Sequence, residues 1–326
     1  MSARGLRWVV LAVGLLAAGV AGVALGVLSY PPGVVFDALL GRGDATAVAV
    51  IWSLRLPRVV LAALVGASLG MAGAAMQGAM RNALAEPYLL GVSGGAAVGA
   101  VTAQTLGAAD ALVPIGAFVG AVAAVAVALA VARAAPGRGD PRVLLMAGVI
   151  VGAFANAAIM ILLAGAAPDV VRNALWWMMG SAADARWMGN ASLAAYLVVG
   201  GALLVAWARQ IDVLALGDDA AAALGIDVER AARRVYLTAS LLAAATVAAA
   251  GLVGFVGLVV PHLARAAGWR AHRPLLAGSA LAGALLVVVA DLAARTVRAP
   301  AELPLGAVTA VLGVPFFLAR LRRAPS

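Results

Sequence analysis

The residues able to do chemistry are few. The two histidines, His262 and His272, stand ten apart with no carboxylate pattern beside them. No His-Glu-x-x-His helix and no Gly-x-Ser-x-Gly elbow occurs, so neither zinc hydrolysis nor serine catalysis has its parts. Cysteine is absent, which excludes disulfides, thiolate metal sites and cysteine nucleophiles. Lysine is absent too, all 23 basic residues being arginine. A phosphate-binding P-loop needs its lysine, so this chain is not itself a standard ATPase. One acid, Asp291, falls well inside an apolar run, four residues before Arg295, and that spacing predicts an i,i+4 ion pair. The acids otherwise gather between Asp212 and Glu229.

The elements that must position these residues are membrane helices. The chain of 326 residues is 65% hydrophobic and 11% charged, with a mean hydropathy of +1.06. No ionisable residue occurs from Val59 to Met80 or from Val143 to Pro168. About 20 apolar residues span the hydrocarbon core as helix. Backbone groups in lipid must be satisfied within the segment, and runs this long and unalternating are helices rather than barrel strands. The net charge of +9 resides in arginines scattered between apolar runs, which topology explains better than nucleic-acid binding. The run 8–29 after Arg4 and Arg7 exceeds a signal-peptide core and reads as a first span rather than a cleaved leader.

The expected fold is all-α and polytopic, one transmembrane domain over 1–326. Its ten spans lie near 8–30, 58–80, 91–108, 113–133, 143–165, 187–208, 232–250, 252–268, 274–296 and 303–320. The division between the seventh and eighth rests on Gly251, Gly254 and Gly257, and nine spans is the alternative. Ten spans with the N-terminus inside place 16 arginines in the cytoplasm and 7 outside. Nine would expose Arg320, Arg322 and Arg323 outside, against the positive-inside rule. Both termini are therefore expected in the cytoplasm. Gly66/Gly70, Gly91/Gly95, Gly116/Gly120 and Gly148/Gly152 have the spacing that lets helix backbones approach closely. Two long connections remain, 31–57 outside and 209–231 inside. The inner one predicts two short helices, split by Gly217 and closed by Gly225, with Asp218 or Asp219 capping the second. Such a helix pair at a membrane surface suits docking into a partner's groove.

Several motifs in one order give the chain a resemblance. Arg55-Leu-Pro-Arg58, Gly73-Ala-Ala-Met-Gln77, Arg81-Asn-Ala-Leu-Ala-Glu-Pro87 and Leu90-Gly-Val-Ser-Gly-Gly95 come first. Trp177-Met-Met-Gly180, Gly254-Phe-Val-Gly-Leu-Val-Val-Pro-His262 and Glu302-Leu-Pro-Leu-Gly306 come later in the chain. Together with the inner loop, they resemble the FecCD-type permeases of importers for iron chelates and cobalamin, over nearly all residues after about 50. The chain departs from that pattern at Ala83, where the family often has proline.

The resemblance implies a permease homodimer in the bacterial inner membrane. Two separate ATP-binding-cassette subunits would carry ATP and magnesium, and a periplasmic or lipoprotein binding protein would deliver cargo. The permease itself would hold no cofactor or metal. It implies docking of the binding protein on Arg55, Arg58 and Arg295, with Arg298 as alternative to the last. It implies ATPase coupling through Leu216, Gly217, Asp218, Asp219, Leu224, Gly225 and Ile226. A cytoplasmic gate maps to Asp140, Pro141 and Arg142, and a pathway contact to Trp177 and Met178 of an outer helix Trp176–Met179. Cargo would be a ferric siderophore, cobalamin or haem, in that order. The alternative is an ion-coupled secondary transporter, which the scarcity of mid-membrane acids disfavours.

Overall fold

A computed structural model describes the backbone of residues 3–136 and 140–321. Arg138, Arg322 and Arg323, counted above among the inner arginines, lie outside the described residues. The described chain is helical, with no strand. The helices are α1 (Ala3–Ala24), α2 (Pro32–Leu39), α3 (Ala45–Val50), α4 (Leu56–Ala79), α5 (Val92–Thr105), α6 (Val113–Ala134), α7 (Pro141–Ala164) and α8 (Pro168–Met178). They continue as α9 (Trp187–Ala206), α10 (Ala208–Leu214), α11 (Asp218–Ala223), α12 (Val228–Ala250), α13 (Val256–Ala266), α14 (His272–Thr296) and α15 (Leu305–Leu321).

Each expected span holds a helix. By length and composition, six are able to cross a membrane: α1, α4 with the segment before it, α6 with the turn before it, α7, α9 and α14. α13 and α15 are shorter apolar helices. The outer connection differs from expectation. Residues 31–57 are mostly helical, and a wide π-type turn at Ile51–Arg55 joins α3 to α4 without a break. One helical run thus extends over Ala45–Ala79. The apolar sequence Ala45–Val50 has no stop signal to separate it from the next segment, and the π-type turn falls just before Pro57, which has no amide to donate to the preceding turn.

α4 is the hub. Of its most apolar window 78% is buried, against 11% for α1, which lies on the rim. α14, α12, α13, α9, α10 and α1 all pack on α4, while α5, α6 and α7 form a second group beside it. Small residues permit this crowding. A methyl at Gly66 would run into the Gly283 backbone of α14, and one at Gly73 into that of Gly257. Gly95 and Gly99 of α5 meet Gly120 and Gly116 of α6 in the same way. Among the glycines singled out by spacing, Gly152 is the exception, with open space where a methyl would go.

The seventh and eighth segments separate where the glycines stand, over residues 251–255. Gly251 has a φ of +68° and its missing side chain makes room for the Trp177 carbonyl. Phe255, with a φ of +67°, turns the chain into α13.

Candidate functional site: two ends of one helical bundle

The first end gathers five charges. α1 stops at Ala24, leaving carbonyls that lipid cannot satisfy. Arg55 supplies donors: its guanidinium reaches the carbonyls of Val23 and Ala24, both at 2.8 Å, and that of Leu28. It also lies over the Tyr30 ring, 4.8 Å from the centroid. Arg295 donates to the Gly22 carbonyl. Two arginines therefore finish one helix, at the end where the helix dipole favours cations.

Arg58 grips two carboxylates. It donates to both oxygens of Asp291 at 3.0 and 3.1 Å and to both oxygens of Glu302 at 2.8 and 3.0 Å. Arg295 Nε approaches Asp291 at 3.5 Å, so the i,i+4 pair expected from spacing is present. It is not the main partnership of Asp291, because Arg58 comes from 233 residues away and binds it more closely. Of the four arginines assigned to docking, Arg55, Arg58 and Arg295 are thus engaged within the chain, and Arg298 is exposed.

Three motifs meet nearby. Ser181 N–H donates to Ala250 C=O at 2.8 Å, while Leu305 and Gly306 donate to the carbonyls of Gly180 and Met179 at 3.0 Å each. The Trp-Met-Met-Gly, Glu-Leu-Pro-Leu-Gly and Gly251 segments therefore form one backbone knot joining α8, α12 and α15. Within it Trp177 and Met178 pack among Ala97, Val101, Ile159 and Ala174, whereas Trp176 and Met179 are the exposed pair.

The opposite end carries the acid-rich loop. As expected, it forms two short helices, α10 and α11, with Gly217 at φ +115° between them and Gly225 at φ +78° after them. Neither Asp218 nor Asp219 caps α11. Gly217 occupies the cap position, both aspartates fall in the first turn, and Asp218 pairs with Arg81 at 2.8 Å. Asp227 is the acid that caps, accepting from Arg230 N–H at the start of α12. Ile211, Leu214 and Ala221 are buried and seat both helices on the bundle, while Leu216 and Leu224 are 68% and 63% exposed. Each stands just before one of the glycine turns that bound α11. Asp219 is exposed beside them, and Ile226 packs inward.

His272 also departs from expectation, because a carboxylate does stand beside it. Asp212 accepts from His272 Nδ1 at 2.6 Å and from its backbone amide at 2.9 Å, capping α14 from α10. Sequence reading missed this contact because it spans 60 residues. Asp140 caps α7 through the Arg142 amide at 2.8 Å, with Pro141 in the first turn, and Asp140 and Arg142 are both exposed. The departure at Ala83 costs no turn: Asn82 Oδ1 accepts from Leu84 N–H at 2.9 Å, and Arg81 adopts a φ of +51°. The Ala83 carbonyl lies 3.0 Å from His262 Nε2. Among the described residues no group of three metal-ligating side chains is present.

Glu86, in the α4–α5 loop, had drawn no attention in the sequence. Its Oε1 is enclosed without a hydrogen-bond partner among the described residues. Burial pushes its carboxyl up to about 7, with the Phe255 amide offsetting part of the effect. A folded value above the usual 4.5 means that stability is full below pH 4.5 and declines as pH rises through 7. Glu86→Gln is expected to remove that decline, worth at most about 3 kcal/mol, in thermal unfolding of the detergent-solubilised chain. A slope that the substitution leaves unchanged between pH 4.5 and 7.5 would show that burial does not shift the Glu86 carboxyl.

Known proteins are similar to this chain in sequence and in fold. The model of the FecCD transport family matches residues 13–323. The cobalamin import system permease protein BtuC of Halobacterium salinarum is 42% identical over 281 residues, covering 85% of this chain and 74% of that protein. The hemin transport system permease protein HmuU of Yersinia pestis is 39% identical over 276 residues, covering 82% of each. Among solved structures, a metal-chelate type ABC transporter in an inward-facing conformation superposes with a TM-score of 0.86. It covers 98% of this chain and 100% of its own, at 26% identity. With α4 at its hub, a charged knot at one end and a seated helix pair at the other, this multi-pass helical chain belongs to the FecCD transport family.

Proposed function

We propose that the chain is the membrane-spanning permease subunit of an ATP-driven metal-chelate importer in the bacterial inner membrane. The observation that carries this reading is the family match running almost end to end, from residue 13 to 323. In this reading the chain is a single domain, crosses ten times and keeps both termini in the cytoplasm. The end bearing α10 and α11 then faces the cytoplasm, and the Arg58 cluster faces out.

Each part then has a role. Leu216 and Leu224, framed by Gly217, Asp218, Asp219, Gly225 and Ile226, dock into an ATPase subunit, which holds ATP and magnesium. A second permease copy packs on the exposed apolar face of α7, where Phe154, Met160 and Ile161 stand more than 70% exposed. Cargo passes between the copies, with Asp140, Pro141 and Arg142 at the inner gate and Trp177 and Met178 beside the path. A binding protein docks at Arg298. Arg58 is poised to exchange its half-exposed partner Glu302 for an acid of that protein, and Arg55 and Arg295 hold the surrounding frame. The importer reading is favoured over an ion-coupled carrier because Asp291, the acid well inside a span, is fully occupied by arginines. The names of the two relatives make cobalamin and hemin the first cargoes to try, with ferric siderophore third.

The test is ATP hydrolysis by the permease–ATPase complex in liposomes, with and without each loaded binding protein. One loaded binding protein is expected to stimulate hydrolysis. Leu224→Asp is expected to reduce the stimulated rate by about tenfold, the loss of one exposed anchor. Uptake without ATP, or a Leu224→Asp complex as active as the parent, would count against the reading.

A further inference from the structure

Two concavities on the described surface lie in line along the seam of α6 and α12. One opens at the end where α6 finishes and α12 begins. Its mouth carries Arg133 of α6, Arg233 and Glu229 of α12, and Asp140 at the start of α7, over an apolar floor of Leu129 and Leu144. The other lies deeper on the same seam, lined by Val122, Val125, Leu237, Leu241 and Ser240 among others.

The spacing makes them one furrow. On α6 the lining residues step through 122, 125, 126, 129, 132 and 133. On α12 they step through 229, 232, 233, 236, 237, 240, 241 and 244. Steps of three and four trace a single face of a helix. From 229 to 244 the furrow runs about 22 Å at 1.5 Å per residue. A bilayer is about 40–45 Å thick with its headgroup regions, so charged mouth and apolar trough together match the depth of one leaflet.

We propose that this furrow binds one phospholipid with a zwitterionic, amine-bearing headgroup. Two guanidiniums at the mouth match its phosphate, and two carboxylates match its ammonium. A headgroup that is anionic overall would leave Asp140 and Glu229 facing like charge. A quaternary ammonium would offer them no hydrogen-bond donor. The trough itself is apolar: Ser240 borders it at 2% exposure with its Oγ enclosed. Along the trough, Leu237 and Leu241 offer half-exposed side chains to an acyl chain. The site shares Asp140 with the proposed gate, but it is read out by lipid retention and stands apart from the transport assignment.

The experiment uses the full chain in nanodiscs doped with a phosphatidylethanolamine carrying a diazirine on one acyl chain. Labelled peptides are mapped by mass spectrometry. Label is expected on 122–129 and 237–244, competed by unlabelled phosphatidylethanolamine and not by phosphatidylcholine or phosphatidylglycerol. Arg133→Gln with Arg233→Gln is expected to reduce it by about tenfold or more, from about fivefold per arginine near a membrane surface. Leu241→Trp, which fills the trough while keeping the mouth, is expected to reduce it as well. Label spread evenly over the exposed apolar sides of α1 and α9 would overturn the proposal. So would equal competition by phosphatidylglycerol, which needs no variant to fold.

Discussion

Asp291→Leu is expected to destabilise the chain by about 3–5 kcal/mol, the cost of leaving buried charge uncompensated. Asp291 is 1% exposed, and it neutralises Arg58 at 2.9 Å and Arg295 at 3.5 Å. After the change Arg58 keeps Glu302, which is itself 41% exposed and so a weaker counter-charge. Arg295 keeps only the Gly22 carbonyl and stays 6% exposed. Removing the stranded charge as well should help: Asp291→Leu with Arg295→Leu is expected to recover part of the loss, although the Gly22 carbonyl then loses its donor. Thermal unfolding in detergent of the two single variants and the double variant gives the coupling directly. Additive losses would mean that the two side chains act independently and that the 3.5 Å approach carries little energy.

Gly66→Ala is expected to cost about 2–3 kcal/mol, whereas Gly152→Ala is expected to be neutral or to stabilise by up to about 1 kcal/mol. Both glycines sit inside helices with a glycine partner four residues away. The added methyl differs only in what it meets. At Gly66 it strikes the carbonyl of Gly283, and backbone cannot rotate aside as a side chain can. α4 and α14 would have to part along their length, loosening the main packing of the hub. At Gly152 nothing lies within 4 Å, so the helix gains alanine's propensity without a clash. Unfolding temperatures of the two variants, measured side by side, decide it. Equal effects would mean that α4 and α14 can separate at little cost.

Composition and spacing were enough for the helical class, because a lipid solvent leaves a chain this apolar few alternatives. They located each span-like segment, and the split at 251–255, because glycines punctuate locally. The helix pair α10–α11 was legible for the same reason, since Gly217 and Gly225 supply positive φ where the chain must turn. The i,i+4 pair of Asp291 and Arg295 was legible because helix geometry alone brings them together. The motif series was enough to suggest the family.

What the sequence hid is long-range. The grip of Arg58 on Asp291 and Glu302 crosses 233 and 244 residues, and the Asp212–His272 cap crosses 60. No periodicity encodes such partners. The arginines at 55 and 295 read as outward because their side of the membrane disfavours cations. The tertiary structure turned them inward, since the carbonyls ending α1 needed donors that lipid cannot give. The same limit applies to Glu86, whose carboxyl lies where the α12–α13 turn encloses it, and to Gly66 and Gly152, which one spacing rule made equivalent. Local conformational preference belongs to the sequence. Which helix faces which, and hence which charges meet, is decided only when the bundle closes around α4.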